Sequence, residues 1–177
     1  MILFTSGFPY AGKTKFVKLL LDKIDHAIHI DPKDYYMENF EELNNDEQSA
    51  VGITAWEMSL ERAEKCINKL PNKALIILDT CCAKINSVRS VIHEARRAGH
   101  NIYCIYVDSS LENRKSRAPG KDIESYQQRY ADDFLITLPK LKDLADTFMI
   151  IVNDDDQSGL NKQADALAEI IKGTQSE

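Results

Sequence analysis

Gly7-Phe8-Pro9-Tyr10-Ala11-Gly12-Lys13-Thr14 is the stretch on which the fold turns. It fits the pattern G-x-x-x-x-G-K-[ST] without a mismatch. At average amino-acid usage a chance match arises in roughly one chain of this length in 200, so the motif carries weight. Ahead of it, Ile2-Leu3-Phe4 reads as a strand. Behind it, Thr14 to Ile24 reads as a helix, with Phe16, Val17, Leu19, Leu20 and Ile24 on its apolar side. Strand, glycine loop and helix form the context a phosphate-binding loop needs. Backbone N–H groups of the loop and of the helix N-terminus face phosphate oxygens, and the helix dipole favours the anion. Gly7, Pro9, Tyr10, Ala11 and Gly12 then shape the cradle for the phosphates of a nucleotide. Lys13 reaches the β- and γ-phosphates, and Thr14 offers its hydroxyl to Mg²⁺.

Outward from the loop, short apolar runs alternate with amphipathic stretches. Ala27 to Ile30 predicts a second strand, and Gln48 to Leu70 a long helix ended by Pro71-Asn72. Ala74-Leu75-Ile76-Ile77-Leu78 is continuously apolar, which suits a strand buried on both faces. Ala83 to Ala98 predicts a helix closed by Gly99. Ile102 to Val107 follows as a strand. Ser109 to Ser116 and Asp122 to Leu135 predict two helices around the polar hinge Arg117-Ala118-Pro119-Gly120-Lys121. Thr147 to Val152 is a fifth strand and Leu160 to Lys172 a closing helix. Gly173 to Glu177 has nothing apolar to bury and is expected to be disordered. The alternation predicts an α/β fold of the three-layer P-loop NTPase kind: a five-stranded parallel sheet, helices on both faces, and a small helical lid at about 111–135. One domain over residues 1–177 is expected, because the length leaves no room for a second core.

Composition narrows the function. The chain has 177 residues, 44% apolar and 28% charged, with a net charge of −6. Such a balance argues against a broad nucleic-acid surface but leaves room for a narrow cleft holding one strand end. The cysteines at 66, 81, 82 and 104 form no CxxC pair and no Cys/His cluster, which reads as reduced thiols. Cys81 and Cys82 are taken as packing residues. No apolar run reaches membrane-spanning length, and Met1 leads into the first strand with no basic leader. A cytoplasmic protein without a membrane partner is the expectation. The four histidines show no metal spacing, and Trp56 is read as core.

In a parallel sheet of this kind, ligands bind beyond the carboxyl ends of the strands. After the second strand come Asp31-Pro32-Lys33-Asp34-Tyr35. A carboxylate there suits a base for an attacking hydroxyl. Asp34 is preferred in that role, with Tyr35 stacking on a base or sugar. Asp31 is read first as the cap of the next turn, since Asp-Pro starts helices. After the third strand, Asp79 stands where an acid binds Mg²⁺ or touches the acceptor, with Thr80 beside it. In the hinge, Arg114 and Arg117 lie three apart on one helical face and suit charge stabilisation on a transferring phosphoryl group. Asn153-Asp154-Asp155-Asp156 reads as a solvated loop or an adenine border. No Asn-Lys-x-Asp reader of guanine is present: Asn72-Lys73 runs into Ala74-Leu75, and Asn161-Lys162 into Gln163-Ala164.

Taken together, several features resemble one family. They are Gly7-Phe8-Pro9, Asp34-Tyr35, Leu78-Asp79-Thr80, Arg89, and Asn113-Arg114 through Arg117. Their order over roughly residues 1–152 is similar to the polynucleotide 5′-kinase and zeta-toxin-like branch of P-loop kinases. The resemblance implies ATP-dependent transfer of the γ-phosphate to a hydroxyl, such as the 5′-OH of DNA or RNA or a hydroxyl on a modified base. It matches Lys13 and Thr14 to the phosphate-loop pair and Asp34 to the acidic region holding the base. Asp79 and Thr80 match the acceptor contacts, and Arg117 the lid arginine. The chain departs from that branch after the second strand: a basic residue and paired acids are usual where it has Lys33-Asp34 and then Tyr36, and the arginine expected just past the acid is missing. A kinase of small metabolites, nucleosides or nucleotides is the alternative, and a nucleotide-binding switch the third.

Overall fold

In a computed structural model, the structure describes residues 1–36, 38–71, 73–81, 86, 88–154 and 157–176, without the side chains of Glu41, Asn45, Gln157 and Ser176. The five strands are β1 (Ile2–Ser6), β2 (Ile28–Ile30), β3 (Ile76–Leu78), β4 (Ile102–Asp108) and β5 (Thr147–Val152). The helices are α1 (Lys13–Leu21), α2 (Asn45–Lys69), α3 (Arg89–Arg97), α4 (Leu111–Arg117), α5 (Ile123–Leu144) and α6 (Gln157–Ser176). Two 3₁₀ turns, Pro32–Tyr35 and Phe40–Glu42, lie between β2 and α2.

All strands pair in parallel, in the order β2-β3-β1-β4-β5. Side chains alternate across a strand, so a sheet covered on both sides needs apolar residues at every position. Leu3, Ile77 and Ile105 enter one core, against Phe16, Leu20, Leu167 and Ile171 of α1 and α6. Ile2, Phe4, Ile76 and Leu78 enter the other, against Ile67, Val91 and Ile92 of α2 and α3. From β1 the chain first builds toward β3 and β2, then returns to β4 and β5 on the other side. The crevice at that reversal lies beyond the carboxyl end of β1, where residues 7–12 follow.

The observed elements shift some expected boundaries. Helix α2 begins at Asn45 rather than Gln48, because Asn44 accepts the amides of Asp46 and Glu47 while Glu47 returns a bond to the Asn44 amide. That reciprocal cap is legible as Asn-x-x-Glu. Helix α5 runs past Leu135 and through Pro139 to Leu144. Pro139 removes the bond to the carbonyl of Leu135, which sits on an exposed residue where water can serve it. The terminus is not disordered up to Ser176: α6 extends through it, Tyr103 pairs with Thr174 at 2.9 Å, and Gln175 donates to the Lys73 carbonyl. The expected start of the third helix at Ala83, and Asn72 at the expected end of α2, lie outside the described residues. So do Cys82, Asp155 and Asp156. Cys66, Cys81 and Cys104 carry free thiols. Among the described residues no helix is long and apolar enough to cross a membrane.

Candidate active site

The loop between β1 and α1 is pressed against the ends of β4 and β5. Gly7 has φ +134°, and a Cβ there would meet the Val107 carbonyl oxygen at 2.4 Å. Gly12 has φ +101°, and its Cβ would meet Asn153 Nδ2 at 2.1 Å. Asn153 is buried and donates from Nδ2 to the Ala11 carbonyl at 2.7 Å. Both glycines are thus required by close approach as well as by backbone angle. Gly12→Ala is expected to lower the melting temperature and weaken nucleotide binding. Strain of this kind costs on the order of 1–3 kcal/mol, and thermal melts with and without nucleotide read it. An unchanged melt and affinity would contradict the tight fit.

Lys13 opens α1 and donates from Nζ to the carbonyls of Gly7 and Phe8, each at 2.9 Å. Thr14 follows on the same turn. A cleft of about 680 Å³ opens in front of them. Its walls include Pro9, Tyr10, Gly12, Lys13, Thr14 and Lys15 of the loop and first turn. Asp79, Thr80 and Cys81 come from the end of β3; Asp31, Pro32, Lys33 and Tyr36 come from behind β2. Trp56 of α2, Arg117 of α4, and Tyr126 and Tyr130 of α5 complete it.

Asp79 is buried at the tip of β3. Thr5 knots that tip: its Oγ1 accepts the Thr80 amide at 2.7 Å and lies 3.1 Å from Asp79 Oδ1. His29 Nε2 stands 3.5 Å from Asp79 Oδ2. Burial pushes the Asp79 carboxyl up. Contacts with His29, Thr14 and Thr5 outweigh that and leave it below the ordinary aspartate value. The contact with Asp79 in turn lifts His29 above its ordinary value against the opposing effect of burial. Asp31 is also buried, and its carboxylate accepts the Lys33 amide at 2.9 Å, capping the first 3₁₀ turn. Burial first, then the neighbouring Asp79 charge, lifts its carboxyl, with the Lys33 amide opposing.

The structure brings Lys13, Thr14, Asp79, Thr80 and Arg117 to one cleft. It leaves other expected site residues outside. Asp34 is exposed and is not on the cleft wall, because the turn capped by Asp31 carries it away. Tyr35 turns to Arg62 of α2, whose guanidinium it holds by a hydrogen bond, with Asp34 close by. Arg114 is not at the cleft either. It is buried with its guanidinium 4.6 Å from the Phe8 ring centroid, and it donates to the Ser109 carbonyl and to Gln127. It pins α4 and α5 to the loop, since a planar cation stacks on an aromatic face. Arg117 donates to Ser109 Oγ at 2.8 Å, to the Ala11 carbonyl at 3.3 Å and to the Asn153 carbonyl. Arg89 is exposed at the start of α3.

Sequence reading missed several groups here. Trp56 is half-buried: it packs against the core on the α2–α3 side of the sheet and also lines the cleft. Tyr36, Tyr126 and Tyr130 join it. His29 lacked any motif, although its place in Ile28-His29-Ile30 alternates away from the apolar face of β2. Asp154 is exposed, as a solvated loop residue would be, but it is tied down by hydrogen bonds. It accepts bonds from the Ser110 amide and from Asn113 Nδ2, which, Asn113 first, hold its carboxyl down at about 2. It thereby fastens the end of β5 to α4.

Comparison with solved structures places the architecture. A candidate kinase from Chloroflexus aurantiacus j-10-fl superposes with a TM-score of 0.69 at 14% identity, covering 97% of this chain and 96% of that one. Kti12 of Chaetomium thermophilum in complex with ADP-AlF3 gives 0.60 at 14% identity, covering 97% and 99%. Shikimate kinase from Acinetobacter baumannii in complex with shikimate gives 0.58 at 15%, covering 99% and 95%. These likenesses establish a kinase-like P-loop NTPase fold. No curated protein sequence matches the chain. The sequence profile described as an AAA domain matches residues 2–134.

Proposed function

The chain belongs to the AAA domain family, and from that premise we propose that it transfers the γ-phosphate of ATP to a hydroxyl, most fittingly one carried by a nucleic acid. The observation that carries this reading is the shared cleft. Lys13 and Thr14 of the phosphate loop open onto the same space as Asp31, Asp79 and Arg117.

The residues fit a nucleotide with Mg²⁺. Thr14 lies within reach of Asp79, and one buried oxygen of that carboxylate, Oδ2, has no hydrogen-bond partner. Thr14 and Asp79 would hold the ion, directly or through water, and the ion would neutralise charge on the phosphates. Lys13 would leave the loop carbonyls for the β- and γ-phosphate oxygens. Arg117, already bonded to the carbonyls of Asn153 and Ala11, would stabilise charge as it builds on the phosphoryl group. Asp31, in place of Asp34, would accept the proton of the acceptor hydroxyl, with Asp79 and Thr80 orienting that hydroxyl.

The lining supports a nucleic-acid acceptor. Although the chain carries −6 overall, four cations (Lys13, Lys15, Lys33, Arg117) face two carboxylates (Asp31, Asp79) in the cleft. Tyr10, Tyr36, Trp56, Tyr126 and Tyr130 supply aromatic faces there. Cations for phosphates and rings for bases are the two elements of single-strand recognition. This agrees with the resemblance to the polynucleotide 5′-kinase branch.

The test is transfer of labelled γ-phosphate from ATP. A 5′-OH oligonucleotide should be labelled, and the same oligonucleotide bearing a 5′-phosphate should not. Labelling of free nucleosides or small alcohols alone would move the acceptor to the metabolite class. Binding of ATP with no acceptor labelled at all would favour a nucleotide switch.

A further inference from the structure

We propose that His29, Asp31 and Asp79 form a site for one divalent transition-metal cation, best matched by Zn²⁺. Each residue offers one ligand atom, and these atoms lie within 4.8 Å of one another. The first supporting fact is a buried pair held at a ligand-like spacing. His29 Nε2 and Asp79 Oδ2 are both buried and face each other as an ion pair, and neither makes a hydrogen bond of ordinary geometry. Their separation of 3.5 Å is too long for a good N–H···O bond. At that spacing the pair gains little hydrogen bonding in return for the burial of both atoms. Two ligands that share one tetrahedral ion at about 2.0–2.2 Å lie about 3.4 Å apart, close to the spacing found.

The second fact is the donor set. The Asp79 side chain is only 3% exposed, and Thr5 steadies its other oxygen at 3.1 Å. The amide of Lys33 fixes the Asp31 carboxylate at 2.9 Å. One imidazole nitrogen and two carboxylate oxygens suit Zn²⁺ or Co²⁺, whereas Mg²⁺ prefers oxygen alone. The nitrogen donor distinguishes the metal preference of this site from that of the overlapping site on Thr14 and Asp79 that a Mg²⁺-bound nucleotide would take. Asp31 and Asp79 both border the cleft, which gives the fourth ligand position a route to solvent. The most distant pair lies within 4.8 Å, so a tetrahedral ion, whose ligands lie about 3.4 Å apart, requires that pair to close by up to about 1.4 Å, a movement within the reach of a side-chain rotation. On the phosphotransfer reading, an ion held here withdraws both carboxylates, so Zn²⁺ would act as an inhibitor.

The experiment uses Co²⁺ as a spectroscopic probe on the full chain, stripped of metal and free of nucleotide. One Co²⁺ per chain should bind with visible d–d absorption, and Zn²⁺ should displace it where equimolar Mg²⁺ does not. His29→Gln should weaken binding at least tenfold, since loss of an outer-sphere partner alone costs about 10–100-fold. Asp31→Asn should do the same and decides the matter if His29→Gln fails to fold by circular dichroism. His93→Gln, at an exposed histidine, should leave binding intact. Co²⁺ binding of wild-type strength in both folded site variants, absence of binding in the parent chain, or equal displacement by Mg²⁺ would overturn the proposal. Neither ATP nor acceptor is present, so a failed titration leaves the phosphotransfer reading standing, and a failed kinase assay leaves the metal site standing.

Discussion

Lys13→Ala is expected to reduce phosphoryl transfer by about 10²–10³-fold, the usual loss when one preorganised donor to the transition-state charge is removed. The argument starts from where the ammonium already is. Nζ sits over the carbonyls of Gly7 and Phe8 at 2.9 Å, at the mouth of a loop whose amides favour an anion. Moving from those carbonyls to phosphate oxygens exchanges two neutral acceptors for charged ones, and charge-assisted bonds are roughly twice as strong. The side chain is not part of either hydrophobic core, so the variant should keep its circular dichroism spectrum. A steady-state assay with labelled ATP reads the effect. Full transfer by a folded Lys13→Ala protein would remove the phosphate-loop role on which the functional reading rests.

The second large effect is expected at Asp31. Asp31→Asn should lower turnover by about 10²–10⁴-fold, the contribution typical of a general base, while ATP affinity changes far less. Asp34→Asn should change turnover little, because that carboxylate is exposed and away from the cleft wall. The pair of variants therefore discriminates between the two acids after β2. A pH profile adds a second readout. Burial lifts the Asp31 carboxyl, so the base is lost by protonation at a higher pH than an exposed aspartate would require. The acid limb of kcat/KM should accordingly lie above the ordinary aspartate range. The same shift has a consequence for stability. A carboxyl whose folded-state pKa is raised favours the fold below its unfolded pKa and loses that contribution as pH rises through the folded value. A large loss in Asp34→Asn with none in Asp31→Asn would return the role to Asp34.

Much of the site was legible from the chain alone. The loop motif fixed Gly7, Gly12, Lys13 and Thr14, since its chemistry is local: amides and a dipole supplied by one turn. Asp79 and Thr80 were found because they follow an unmistakable buried strand. Arg114 and Arg117 show where such reading stops. Both sit at helical spacing after β4, yet only Arg117 reaches the cleft. What separates them is a contact with Phe8, which draws Arg114 onto an aromatic face and away from the cleft. Asp31 and Asp34 divide in the same manner. The Asp-Pro start identified a capped turn, but which acid points inward depends on the direction in which that turn leaves β2. The aromatic wall was harder still, because Tyr36, Trp56, Tyr126 and Tyr130 lie on three separate segments with no common spacing.

The sequence by itself determined the parallel α/β layering and the position of the phosphate loop. Strand and helix periods, and a glycine-bounded cradle before a helix, are properties of contiguous residues. Tertiary structure alone decided the strand order β2-β3-β1-β4-β5, the turn of Arg114 away from the site, and the meeting of His29, Asp31 and Asp79. Those depend on which elements pack side by side. Burial and charge are then set by neighbours distant in the chain, and no local pattern encodes them.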